Sequence, residues 1–140
     1  MFSAKAEYAC LAMLELAARH GDPKPIRLAA VADAHGIPQR FLVQILLQLK
    51  GAGLVASTRG AAGGYQLARP PEEISLADIL GVIDRPDPSA PNAPGRTDPT
   101  ALAGALREVW QQLQANRQKI LENTTLAKLV EAGRESLYVI

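Results

Sequence analysis

The chain has 140 residues, enough for one compact domain with an extension and a sizeable core. Hydrophobic residues make up 48% and charged residues 21%, which excludes an intrinsically disordered chain, and with only 4% aromatics the core must be built from Leu, Ile, Val and Ala. The formal net charge of +1 conceals an asymmetry: residues 1–70 hold eight Lys and Arg against four acids, residues 71–140 seven against ten. A basic half joined to an acidic half fits a nucleic-acid-binding head on a body with another task.

Ser3 to His20 reads as a first helix, rich in Ala and Leu, with Glu15 and Arg19 four apart as a modest stabilising pair. Ala6, Cys10, Leu11, Met13, Leu14 and Ala17 make it apolar on most sides, so it should be central and buried. The stretch GDPKP breaks it. Ile26 to His35 reads as a short second helix with Leu28, Val31 and Ala32 inward and Gly36 as its stop. A third helix follows after a very tight turn, opened by Pro38, where a missing N–H costs nothing. Leu42, Ile45, Leu46 and Leu49 recur at three- and four-residue spacing and make one apolar face. The other face carries Gln39, Arg40, Val43, Gln44 and Gln48, with no acid among them. Two short helices joined at a Gly, the second with a polar face, form a helix-turn-helix signature.

Gly51 and Gly53 stop the third helix. Leu54 to Arg59 then reads as a strand, Gly60 to Gly64 as a flexible tip, and Tyr65 to Arg69 as the return strand. A helix followed by a basic, glycine-tipped hairpin is the plan of a winged helix-turn-helix. Arg bonds bidentately to guanine and Gln to adenine in the major groove, and the first turns of such a helix are placed at base edges. Arg59 suits a narrow minor groove, Ser57 and Thr58 suit phosphate oxygens, and Gly60, Gly63 and Gly64 allow close backbone approach. The expected DNA-contacting set is therefore Gln39, Arg40, Val43, Gln44, Gln48, Ser57, Thr58, Arg59, Gly60, Gly63 and Gly64.

Pro70 and Pro71 end the return strand. Ser75 is expected to cap a fourth helix, with Asp78 reaching back as in a capping box, and Leu76, Ile79, Leu80 and Ile83 forming its buried face. RPDPSAPNAPGRTDP, residues 85–99, holds five prolines and reads as a loop. Thr97 or Asp98 should cap a long fifth helix, with Pro99 in its first turn, running to about Asn123. Leu102, Leu106, Val109, Leu113, Asn116 and Ile120 fall at alternating steps of four and three, a coiled-coil-like seam that points to a homodimer. Asn116 interrupts the apolar series and would set pairing register. A last helix starts at Thr124 or Thr125 and uses Leu126, Leu129 and Val130. The organisation is thus mainly α with a small β-hairpin: a winged helix-turn-helix head at 1–84, a Pro-rich loop at 85–99, and a dimerisation helix with a C-terminal helix at 100–140.

Cys10 is the only cysteine, so no internal disulfide forms, and it reads as a small packed hydrophobe. Together with His20 and His35 it is the only soft metal-ligand candidate, and these are not at metal spacing. No metal or cofactor is expected. No nucleophile–base pair, HExxH, GxSxG or phosphate loop is present, so an enzyme is not expected. The N-terminus lacks a charged-then-apolar signal layout, and no apolar run approaches the roughly 20 residues that span a bilayer. A cytoplasmic chain with no membrane partner is expected.

On three blocks, KAEYACLAMLELA, the run IPQRFLVQILLQLKGAGLVASTRGAAGGYQLARPPEEISLADIL and the terminal TTLAKLV, the chain resembles the Rrf2 family of bacterial winged-helix regulators. The resemblance implies a homodimeric repressor or activator that binds a palindromic operator, with the fifth helix crossing to the partner subunit. It matches Gln39, Arg40, Val43 and Gln44 to recognition positions and Arg59 to the wing residue that enters the minor groove. Some members carry an acid where this chain has Val43; an acid selects cytosine and Val43 cannot. Many members hold an iron–sulphur cluster through three cysteines between the fourth and fifth helices. This chain has no cysteine there, and clusters need thiolates. Glu7 lies near the place where some members supply a fourth ligand, but one carboxylate does not make a site. The resemblance therefore points to a cluster-free repressor answering to a protein partner, a small molecule or a thiol. Two other readings stand beside it: a winged-helix protein-interaction module without DNA binding, and a regulator with Cys10 as a redox trigger.

Overall fold

The computed structural model describes residues 2–84 and 99–138. Most of the Pro-rich segment, Thr97 and Asp98 included, and residues 139–140 lie outside the described residues. Helix α1 (Ala4–Ala18) is the axis: it packs against α2 (Leu28–His35), α3 (Gln39–Gly51), α4 (Leu76–Ile83), α6 (Leu126–Tyr138) and the second hairpin strand. Ala6, Ala9, Ala12, Met13, Leu16 and Ala17 are buried along it. Three of its four buried alanines are spaced three apart, and their small side chains let neighbouring backbones come close. Ser3 caps it by accepting from the Ala6 N–H at 3.1 Å, and its Oγ also donates to Asp84 at 3.2 Å, tying the start of α1 to the end of α4.

Helix α2 begins two residues later than its apolar pattern suggests. Ile26 is extended instead, exchanging backbone hydrogen bonds of 2.9 and 2.8 Å with Tyr65. The β-branched Ile favours extended backbone, and the Tyr65 ladder satisfies the amide and carbonyl that a helix would have used. Gly36 closes α2 in the left-handed conformation at φ 63°. Pro38 stands at the N-cap of α3, one place before its first turn, and its carbonyl accepts from the Phe41 and Leu42 N–H groups.

Leu42, Ile45, Leu46 and Leu49 are all fully buried, as their spacing requires. The hairpin strands β1 (Val55–Thr58) and β2 (Gly64–Leu67) are shorter than their sequence pattern, antiparallel, and pair Val55 with Leu67 and Thr58 with Gly64. Gly64 thus belongs to the ladder and not to the tip. A 3-10 turn at Pro71–Glu73 leads to α4, whose expected capping box forms: Ser75 Oγ accepts from the Asp78 N–H at 3.2 Å and the Asp78 carboxylate from the Ser75 N–H at 2.9 Å.

Helix α5 runs over Ala101–Asn123 with Thr100, and not Thr97 or Asp98, as its N-cap: its hydroxyl accepts from the Ala103 N–H at 3.0 Å, and Pro99 precedes the cap instead of standing in the first turn. The junction into α6 is pinned by backbone pairing of residues 74–76 with 124–126, through Leu76 N–H to the Thr124 carbonyl and Leu126 N–H to the Ile74 carbonyl, both 2.9 Å. Of the residues in α5 only Leu121 is buried.

Candidate nucleic-acid interface

The helix-turn-helix is held by its floor. With Leu42, Ile45, Leu46 and Leu49 pointing inward, the opposite side of α3 must face out, at about 100° of rotation per residue. Arg40, Gln44 and Leu47 lie nearest the direction opposite the buried face, with Val43 and Gln48 flanking and Gln39 at the N-terminal end; all six are exposed. No acid lies on this helix. The Arg40 guanidinium stacks 5.0 Å above the exposed Phe41 ring, which holds the cation on the surface without a salt bridge.

Glu15 on α1 supports the unit from behind. It bonds Arg19 at 2.7 Å and His35, the last residue of α2, at 3.0 Å. One carboxylate thus anchors the end of α2 next to the turn that launches α3.

The wing springs from the end of α3, which packs on β1. Ser57, Thr58, Arg59 and Gly60 are exposed on it, and Gly63 and Gly64 are half-buried. These last two glycines have an internal reason for being there. A Cβ on Gly63 would stand 2.1 Å from the Thr58 carbonyl oxygen, and one on Gly64 would stand 2.4 Å from that of Ile26. Only glycine lets the hairpin close and the Ile26 segment lie against it. Gly60 adopts φ 105° in open space, so it serves the turn itself. From below, the Arg27 guanidinium donates to the Ala61 carbonyl at the tip, and the Gln66 amide donates to the Pro23 carbonyl at 3.3 Å. The wing is therefore braced by the segment that precedes α2.

Some residues at this surface were not singled out by sequence reasoning. Lys5 and Tyr8, three apart on α1, join Phe41 and Gln44 in lining a cleft of about 220 Å³ between α1 and α3. Their spacing marks a shared helix face, but nothing in the sequence says that this face abuts α3. Arg27 and Leu47 were likewise not picked out, the first because its partner is a carbonyl 34 residues away.

The seam residues form a separate stripe. Leu102, Leu106, Val109, Leu113 and Ile120 are between 50% and 84% exposed, Asn116 is exposed, and Trp110 joins the stripe beside Val109. Away from the stripe α5 packs on α4. The Arg117 guanidinium lies 4.6 Å above the Phe2 ring, and Leu121 closes a mostly apolar cleft of about 330 Å³ with Phe2, Ala6, Glu7, Cys10, Leu76 and Leu80. Burial, and after it the Asp84 and Glu7 carboxylates, push the Cys10 thiol up to about 11, so it stays protonated at neutral pH. A thiol in that state is a poor nucleophile and a poor redox trigger.

A profile of the Rrf2 family, described as an iron-dependent transcriptional regulator, matches residues 2–132. A Mycobacterium tuberculosis protein that carries the name of a helix-turn-helix transcriptional regulator is 45% identical over 126 residues, 89% of this chain and 78% of that one. The transcriptional regulator CymR of Bacillus subtilis is 35% identical over 139 residues, covering 98% of this chain and 96% of its own. Its structure superposes with a TM-score of 0.80 at 32% identity over 94% of this chain and 97% of that one. The structure of IscR from T. potens gives a TM-score of 0.81 at 31% identity, over 97% of this chain and 90% of that one.

The iron in the family description does not fit this chain as a thiolate-held cluster, because the whole sequence has one cysteine. Among the described residues no three of His, Cys, Asp and Glu come together in a way that could hold a metal ion. Nor is any helix of the described residues long and apolar enough to cross a membrane. The match along nearly the whole length, on a fold with the same helices and hairpin, places the chain in the Rrf2 family of transcriptional regulators, not among enzymes.

Proposed function

We propose that the chain is a homodimeric, cluster-free repressor that binds a palindromic operator. In this reading residues 1–84 are the reading head and 100–140 the dimerisation arm. Gln39, Arg40, Val43, Gln44 and Gln48 enter the major groove, and Arg59, flanked by Ser57, Thr58 and Gly60, enters the minor groove. The observation that carries the reading is the α3 surface: an exposed, acid-free row of Arg and Gln beside a braced wing that holds Arg59 outward. Phosphate contacts release counterions and base-edge contacts select sequence, and this surface has groups for both. The exposed stripe on α5 supports the dimer, since an apolar stripe of this length is stable only when covered. The effector is a partner protein or a small molecule.

The test is binding of the full chain to a promoter fragment, followed by fluorescence anisotropy across a salt series. Affinity should fall linearly on a log–log plot with several counterions released. Arg59→Ala should weaken binding by about 1–3 kcal/mol. Equal binding by Arg59→Ala and the parent chain would remove the wing from the interface. A flat salt response would favour the protein-interaction module, the reading that the acidic second half leaves open.

A further inference from the structure

Three apolar side chains of α3 are exposed: Phe41 lines the cleft against α1, and Val43 and Leu47 lie on the reading face. Val43 is 37% exposed and Leu47, one turn on, is 59% exposed. Leu47 lies next to Arg40, on the side away from Gln44, and Val43 lies beyond it toward Gln39. Neither is among the buried residues of α3. An apolar side chain has no donor or acceptor, so in a major groove it has one complementary group, the C5-methyl of thymine. Resting on the DNA reading above, we propose that Val43 is a thymine-methyl reader and that each operator half-site carries a T·A pair opposite it.

Three observations favour this occupant. First, Val43 is in the first half of the helix, where side chains reach base edges, while Leu47 is one turn further along. Second, its neighbours on the face, Gln39, Arg40 and Gln44, are the residue types that bond adenine and guanine edges and would frame the position. Third, Val is β-branched and holds essentially one rotamer in a helix, so its two methyl groups are presented without an ordering cost. The same position rejects cytosine. A cytosine opposite Val43 would present its N4 amino group to carbon and leave that donor unpaired.

The test starts from duplexes selected by the full-length chain out of a random-sequence library. Each thymine of the selected half-site is then replaced by uracil, which removes the C5-methyl group and nothing else. One thymine per half-site should be sensitive, with binding about three- to fivefold weaker per half-site, the value of one buried methyl group. For Val43→Ala the T-to-U ratio at that position should collapse toward one. For Leu47→Ala it should persist. Val43 is exposed, so Val43→Ala is expected to fold, and its circular dichroism spectrum checks that. The inference is overturned if no thymine is sensitive, as it would be if a protein partner and not DNA covered Val43 and Leu47. It is equally overturned if the sensitivity is the same in Val43→Ala, or if it collapses in Leu47→Ala instead. Failure to select any duplex above non-specific binding would overturn the DNA reading itself, and this inference with it.

Discussion

Helices α3 and α5 carry apolar residues at the same three- and four-residue steps and meet opposite fates. In α3 Leu42, Ile45, Leu46 and Leu49 are fully buried and the opposite face, with Arg40, Gln44 and Leu47, is free. In α5, 23 residues long, one side chain is buried and the apolar stripe lies open. Periodicity marks a face; it does not say where the partner of that face is. The partner of α3 is α1 and α4 of its own chain. The stripe on α5 has no such cover among the described residues and is proposed to find it in a second copy.

Substitutions on the two stripes should separate these fates. Leu46→Ala should lower the unfolding free energy by about 2–5 kcal/mol in a urea titration, because a cavity opens in a closed core. A loss below about 1 kcal/mol would mean that the α3 floor is not packed as described. Leu113→Asp should act on association instead. Self-association should weaken by on the order of 3 kcal/mol, about 100-fold, in sedimentation equilibrium, with the helical circular dichroism of the head retained. An unchanged dimer in that variant would break the contrast, since the stripe would then not be the seam.

A smaller effect concerns α4, on which α5 rests. Ser75→Ala removes one side of the capping box and should cost about 1 kcal/mol, read as a lower thermal midpoint. A last test is kinetic and probes the cleft lined by residues of α1, α4 and α5 without touching stability. Alkylation of Cys10 at pH 8 should be about 100-fold slower in the folded chain than in urea, since the folded thiol titrates near about 11. The same shift has a sign for stability. The unfolded chain loses this proton first, so the Cys10 contribution declines as pH rises above about 8.5 and continues to decline up to about 11. Fast alkylation at pH 8 would show that the cleft is open.

Much of the fold is legible in the residues because it depends on local rules. The apolar spacing of α3, Gly36 after α2 and the Ser75–Asp78 capping box each act within a few residues, and each is found where its pattern places it. Apart from the shifted α5 cap, the misplacements share one cause. Ile26 leaves its helix for Tyr65, Gly64 joins the ladder, and Gly63 and Gly64 are required by carbonyls of Thr58 and Ile26. Each depends on a backbone that comes near only after folding. Arg27 bracing Ala61 and Lys5 and Tyr8 beside Gln44 leave no mark in the sequence for the same reason.

What the sequence determined by itself is the kind of chain: helices of given length, a glycine-tipped basic hairpin, one cysteine and hence no thiolate-held cluster, and a match to the Rrf2 pattern. Those follow from side-chain chemistry and short-range spacing, which survive without a fold. What only the tertiary structure decided is which faces are spent and which are left. It closed the floor of α3, left Val43 and Leu47 open beside Arg and Gln, half-buried the Cys10 thiol in a cleft that Glu7 also lines, and kept the α5 stripe uncovered. Burial is a property of neighbours, and neighbours distant in sequence meet only in the folded chain.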